Sequence, residues 1–104
     1  MTETIEGAPP VDPALVDQAE RTLRATPGAL GTGQVRMRWI GHQLRAECEV
    51  IVDSGITAIQ AHQVAVSAEH ALLHAIPRLA AALVHVDPEP HNGTGHHDLL
   101  ASHR

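Results

Sequence analysis

Two stretches of the sequence alternate strictly between apolar and polar residues, which is typical of β-strands with one covered face. The first stretch is VRMRWI, residues 35–40, and the second is LRAECEVIV, residues 44–52. The dipeptide between the first stretch and Gln43, Gly41-His42, is suited to a two-residue hairpin turn. The alternation therefore predicts an antiparallel hairpin.

The predicted turn also determines which residues face each other across the hairpin. It pairs Val35 with Cys48 and continues that pattern along both strands, so that the apolar residues lie on one face. On the other face it places Arg36 opposite Glu47, an attractive cross-strand pair. We therefore expect one covered face and one charged face.

Apolar residues at spacings of three and four predict two helices. The first begins at Asp12, a good N-cap, and ends before Pro27. The second begins after Thr57, whose spacing from Gln60 matches a capping box, and ends before Pro77. A third strand is predicted to follow the second helix.

The third strand is predicted over about Ala82 to Asp87, and its neighbour in the sheet is either the first or the second strand. The order of elements predicts an α+β fold of the form αββαβ, in which two helices cover one face of a three-stranded sheet. We expect this domain over residues 12–88, after a flexible leader at residues 1–11 and before a disordered, His-rich tail at residues 89–104.

The amino-acid composition indicates how stable a single chain can be and which classes of partner it can bind. The chain has no Phe or Tyr and one Trp, so its core consists of small aliphatic residues, and we expect subunit association or a metal to add stability. A formal net charge of −5 argues against nucleic-acid binding. We find neither a signal peptide nor an apolar run of the ~18–20 residues that span a bilayer, so we expect a cytoplasmic protein without direct membrane insertion.

Catalytic motifs are absent from the sequence. No serine occupies a nucleophile-elbow context, and no Gly-rich phosphate loop is followed by lysine, since the chain has no lysine. The single cysteine, Cys48, is predicted to face the core. We therefore expect a protein that is not an enzyme.

Nine histidines make metal binding the most promising chemistry. His85 and Asp87 share one face of the third strand, and an imidazole with a carboxylate is half of a zinc site. His62 is predicted to border the apolar stripe of the second helix. Each has a plainer interpretation, a solvated strand end for the first two and a packing residue for His62.

The other candidate ligands have weaker patterns. Glu47 and Glu49 point outward from the second strand, where charged residues are commonly just solvated. His70 and His74 are four residues apart on the second helix, near its solvated side. Four more histidines lie in the tail, where an ordering cost on binding would limit their metal affinity: His91, His96, His97 and His103.

Three stretches taken together resemble a known family: VRMRWIGHQLRAECEVIVD (35–53), AHQVAVSAEHALLHAIP (61–77) and VHVDP (84–88). They are similar to the cytoplasmic C-terminal domain of cation diffusion facilitators, the zinc, iron, cobalt and manganese efflux transporters. The resemblance implies a metallochaperone-like (ferredoxin-like) domain that forms a homodimer beneath a transmembrane transport domain. It also implies that metal bound at or near the dimer interface biases the transporter's conformation.

The resemblance implies His62, His85 and Asp87 as metal ligands, and Glu49 at a position where some members have histidine. A further family ligand falls near Gly33 or Gln34, which ligate poorly, so one divalent ion per protomer, most simply Zn²⁺, is expected. This expectation requires the first turn of the second helix to approach the end of the third strand, unless a neighbouring subunit completes the site.

Two alternatives fit the same sequence. One is a soluble metal buffer or chaperone that relies on the tail histidines, and the other is a structural dimerisation module with a vestigial site. The family's transmembrane domain has no counterpart in this sequence, so both an excised regulatory domain and a stand-alone relative are consistent with it.

Overall fold

The computed structural model of the chain describes residues 10–89, and within them the elements follow the predicted order αββαβ. The elements are α1 (Pro13–Arg24), β1 (Gly31–Ile40), β2 (Gln43–Val52), α2 (Ala58–Ala75) and β3 (Leu79–Pro88). The predicted tail histidines and most of the predicted leader lie outside the described residues. The division into leader, domain and tail stays a prediction.

Both helices begin at the caps that the sequence predicts. The Asp12 side chain accepts a hydrogen bond from the Ala14 N–H at 2.9 Å and so satisfies one free donor of α1. At α2 the Thr57 hydroxyl accepts from the Gln60 N–H at 3.0 Å, and the Gln60 side chain accepts from the Thr57 N–H at 2.9 Å. This reciprocal capping box fixes where α2 starts after the loop that follows β2.

The sheet has the order β1-β2-β3, with β2 in the centre. The β1–β2 pair is antiparallel and has the predicted register, with Val35 opposite Cys48 and Arg36 opposite Glu47. The β2–β3 pair is parallel, which settles the open question of the neighbour of β3. Both strands therefore end at the same edge of the sheet, where α2 begins.

The third strand starts at Leu79, three residues before the predicted Ala82. Leu79 pairs with Leu44, and the Leu44 N–H donates to the carbonyl of Arg78 at 2.8 Å. Arg78 itself has a φ of 68°, a left-handed conformation that turns the chain directly from the end of α2 into the strand. The guanidinium of Arg78 lies over the ring of Trp39, 5.7 Å from its centroid.

The core lies between the helices and one face of the sheet. It contains Ala19 and Leu23 from α1, the alternate residues 44–52 of β2 and the predicted stripe of α2, of which Val64, Ala68 and Leu72 are buried. Among residues 10–89, nothing covers the sheet face away from the helices, and the outward residues of β2 and β3 are exposed or half-buried. Of the helices within residues 10–89, none is both long and apolar enough to cross a membrane.

One detail of the α2 prediction is wrong. His62 was expected to border the core, but its side chain is exposed. In α2 the side chain of Val64 packs into the core. His62 lies two residues earlier, about 200° away around the helix axis, so its imidazole points outward.

Candidate metal centre

Four potential metal ligands project from the uncovered face of the sheet. They are Glu47 and Glu49 of β2 together with His85 and Asp87 of β3, and we call them the open-face cluster. In the parallel ladder Glu49 is the direct partner of His85, with Glu47 and Asp87 flanking this pair. Each is two residues from another member, so the period of the strand points all four in the same direction.

The closest contact in the cluster joins the two strands. His85 Nε2 lies 3.4 Å from Glu47 Oε2, and the two side chains are 54% and 50% exposed. An ion pair in such a solvated place contributes little stability. Although Glu47 also lies opposite Arg36 in the ladder, its carboxylate contacts the imidazole. Both groups remain accessible to a cation.

Glu49 is held more firmly than its neighbours. Its Oε1 accepts a hydrogen bond from the Gln34 N–H at 3.2 Å, where the register of β1 shifts between Thr32 and Val35. The side chain lies across Gly33, and a Cβ at that position would come within 2.9 Å of the Glu49 Cβ. Glycine at position 33 therefore makes room for this carboxylate, whose second oxygen has no protein partner among residues 10–89.

The open-face cluster surrounds a small cavity of about 230 Å³. Its lining consists of Gln34, Arg36, Glu47, Cys48, Glu49, His85 and Asp87. Carboxylate oxygens and an imidazole nitrogen are ligands that suit zinc and other borderline divalent ions. The cavity thus has the chemistry of a cation site, with the cationic Arg36 on its wall.

Cys48 lies beneath this cavity but does not add a ligand. The residue is 1% exposed, as predicted, and its side chain belongs to the core. Burial, and secondarily the negative charge of Glu47, raise the pKa of the Cys48 thiol to about 11. Because a thiol binds metal as the thiolate, Cys48 is a packing residue at neutral pH.

The structure separates His62 from the other predicted ligands. His62 is exposed on α2, which packs on the covered face of the sheet, whereas His85 projects from the uncovered face. Within residues 10–89, no three His, Cys, Asp or Glu side chains are grouped closely enough to hold one ion. The ligand roles of His62, His85, Asp87 and Glu49 therefore stay predictions.

Glu47 is the member of the cluster that sequence reasoning underrated. An outward charge on a strand is typically just solvated, yet Glu47 makes the contact with His85. The missing information was the parallel pairing of β3 beside β2, because only that register brings the two residues together. Their separation of 38 residues gives no local signal.

The sequence of this chain is similar to the sequences of cation efflux proteins. Residues 11–89 match the sequence model of a family described as "Cation efflux protein, cytoplasmic domain". Two relatives, each named a probable cation efflux system protein, come from two strains of Mycobacterium tuberculosis and are each 49% identical over 84 residues. The match covers 81% of this chain and 25% of each relative, so the chain spans about a quarter of their length.

Solved structures of the MamM CTD share the fold. A nickel form of one variant has a TM-score of 0.73 at 23% identity, covering 75% of this chain and 99% of that one. A cadmium form of another variant has a TM-score of 0.71 at 25% identity, covering 73% and 95%. These matches confirm the αββαβ metallochaperone-like fold.

Proposed function

Because this chain belongs to the family of cytoplasmic domains of cation efflux proteins, we propose that it is the metal-responsive dimerisation domain of a cation efflux transporter. In this proposal two copies pair and a divalent cation binds at or near their interface. An ion that binds the paired state more tightly stabilises it by mass action, by about 2.7 kcal/mol at a hundredfold excess over Kd. The pairing then reports cytoplasmic metal to a transmembrane transport domain.

The open-face cluster is the observation that carries this proposal. It brings three carboxylates and one imidazole to a single uncovered surface, and the two strands that carry them are hydrogen-bonded in register. The rigid sheet fixes the spacing of these groups before any ion arrives, which lowers the ordering cost of binding. Gly33 leaves space for the Glu49 side chain, whereas a carboxylate that is only solvated needs no such space.

A second copy of the chain is the natural source of the missing ligand. Zinc prefers four ligands in tetrahedral geometry. His62 belongs to the helix layer and His85 to the opposite face of the sheet, so one ion held by both imidazoles requires two chains. We therefore propose that His85, Asp87 and Glu49 of one protomer reorient their side chains toward the ion and bind it together with the partner's copy of His62 or a water.

Zinc is the ion that best fits this ligand set. Mixed nitrogen and carboxylate ligands suit zinc, while the absence of an available thiolate argues against a soft-metal site. Solved MamM CTD structures include a nickel form and a cadmium form of that protein, which supports a divalent ion here without selecting zinc.

Calorimetric titration with Zn²⁺ tests the site. Loss of a residue that only supports a metal ligand typically weakens binding about 10–100-fold. The His85→Ala, Asp87→Ala double variant removes two proposed ligands themselves, so we expect a larger loss of zinc affinity. His42→Ala is the matched control, because His42 is an exposed histidine in the β1–β2 turn, outside the cluster. Equal affinity of the double variant and the control would remove His85 and Asp87 from the site.

A mixing experiment tests whether the ion connects two chains. His62→Ala lacks one side of the proposed site and His85→Ala, Asp87→Ala lacks the other. A mixed dimer of these variants regains one of its two sites. Because random association makes about half of the dimers mixed, zinc affinity should reappear on 1:1 mixing at about a quarter of the wild-type stoichiometry. If mixing restores nothing while each variant still dimerises, the ion is not shared between subunits in this way.

The two alternative functions give different results. Truncation after Pro88 should preserve zinc binding under this proposal, whereas a buffer that relies on the tail histidines would lose it. For a structural module with a vestigial site, sedimentation equilibrium would give the same dimer dissociation constant with zinc and with a chelator.

A further inference from the structure

His70 and His74 form a second group of metal ligands, away from the open-face cluster. Both side chains are exposed on α2, in the helix layer on the other side of the sheet. They line a shallow surface depression together with Ala71 and Leu73. Neither imidazole has a hydrogen-bond or ion-pair partner within the part of the chain that the structure describes, so all of their ring nitrogens are available.

The helix gives this pair a chelating geometry. Residues four apart are neighbours on one helix face, with Cβ atoms about 5–6 Å apart. Two histidines at this spacing can direct ring nitrogens to adjacent coordination positions of one ion, as they do in helical zinc motifs. The regular hydrogen bonding of α2 continues through both residues to Ala75, so the backbone holds the spacing without a ligand.

The position of the pair along the helix also favours a cation. His74 lies in the last turn of α2, and His70 lies one turn earlier. The C-terminal end of a helix carries partial negative charge from its free carbonyls, which stabilises nearby positive charge. A divalent ion held by neutral imidazoles gains from this field.

From this geometry we propose that His70 and His74 form a separate, two-imidazole site for a borderline divalent transition-metal ion such as Cu²⁺, Ni²⁺ or Zn²⁺. The ion keeps water or a small chelator in its remaining positions. Cu²⁺ binds tightest, as the general order of divalent affinities requires. With two protein ligands the site is weaker than a complete zinc site and fills after it.

The test uses the full chain and Cu²⁺ bound to nitrilotriacetate, a probe that leaves adjacent coordination positions open. Paramagnetic broadening of backbone amide signals in NMR spectra locates the ion. We expect the amides of residues 70–74 to broaden in the wild type at pH 7.5. At pH 5.5 the broadening should weaken strongly, because protons compete with the metal for the imidazole nitrogens.

A matched variant tests whether the spacing of the histidines on α2, and not their number, creates the site. Like the wild type, the His70→Ala, Gln63→His variant has three exposed imidazoles on α2, but the one nearest to His74 now lies eleven positions away, or about 16 Å along the axis. At His74 this variant should bind the probe about 10²-fold more weakly than the wild type, because no second imidazole is within reach of an ion that His74 holds. Broadening around residue 74 that is as strong in this variant as in the wild type would overturn the proposal.

The result does not depend on the open-face cluster. The His85→Ala, Asp87→Ala variant should keep full broadening at residues 70–74, even if it has lost zinc affinity. If broadening at these amides is absent from the wild type or requires His85, the pair is not a site of its own.

Discussion

On β2, successive residues lie in opposite environments. Cys48 is 1% exposed among aliphatic side chains, while its neighbour Glu47 is half exposed and contacts the imidazole of His85. The covered face of β2 carries aliphatic side chains that fill the core, and its open face carries mostly charged side chains. Burial thus accounts for the first set, whereas for the open-face cluster a bound ion and a partner are what the proposed function adds to simple solvation.

The largest expected effect comes from removing volume from the covered face. Leu44→Ala should lower the free energy of unfolding by about 2–5 kcal/mol, because Leu44 is fully buried in the core. Leu83→Ala is the matched control on the open face, where the leucine is 57% exposed, and it should stay within about 0.5 kcal/mol. Urea denaturation measures both. Similar losses for the two variants would mean that the open face is covered in solution.

A smaller loss is expected where a glycine supports the helix layer. Gly28 has a φ of 92°, and a Cβ there would come within 2.7 Å of Val64 Cγ2. Gly28→Ala should therefore cost about 1–3 kcal/mol through backbone strain and displacement of a buried valine. Gly31→Ala is the control, since no atom lies within 4 Å of its added Cβ. Thermal unfolding of the two variants should separate them clearly.

The buried thiol predicts a loss of stability at alkaline pH. In the unfolded chain Cys48 ionises near its ordinary pKa of 9.0, but in the folded chain its pKa is raised to about 11. The unfolded state therefore binds fewer protons between pH 9 and 11, and this contribution to stability falls as pH rises through that range. Cys48→Val should flatten this part of the curve of thermal midpoint against pH. An unchanged slope would contradict a protonated buried thiol.

The smallest effect is expected from the imidazole of the open-face cluster in the absence of metal. His85→Ala should change the metal-free stability by less than about 0.5 kcal/mol, because its contact with Glu47 is solvated. With zinc present, the proposed site predicts that the wild type gains thermal stability and this variant gains much less. Loss of stability without metal would assign His85 a structural role instead.

Much of the fold could be predicted from the sequence because its signals are local. The turn at Gly41 and the alternation around it determined the hairpin register, and Thr57 with Gln60 determined the start of α2. The early start of β3 could not be predicted, since it depends on the left-handed backbone of Arg78 and on pairing with the distant Leu44.

The candidate site was predictable only in part. The common direction of His85 and Asp87 follows from the period of a strand, and the structure confirms it. The contact of His85 with Glu47 depends on parallel pairing between distant segments, and the exposure of His62 depends on the rotation of α2 about its axis. Neither property is encoded by spacing within one element.

Parallel pairing of β3 beside β2 should delay assembly of the open-face cluster during folding. The β1–β2 hairpin closes across a two-residue turn, whereas His85 meets Glu47 only after the chain has closed a loop that contains the whole of α2. Pulse-labelled hydrogen exchange should therefore find β1 and β2 amides protected before those of β3. Until the last strand docks, a nascent chain would present Glu47 and Glu49 without His85 and Asp87, so it would lack the complete cluster that we propose binds the ion.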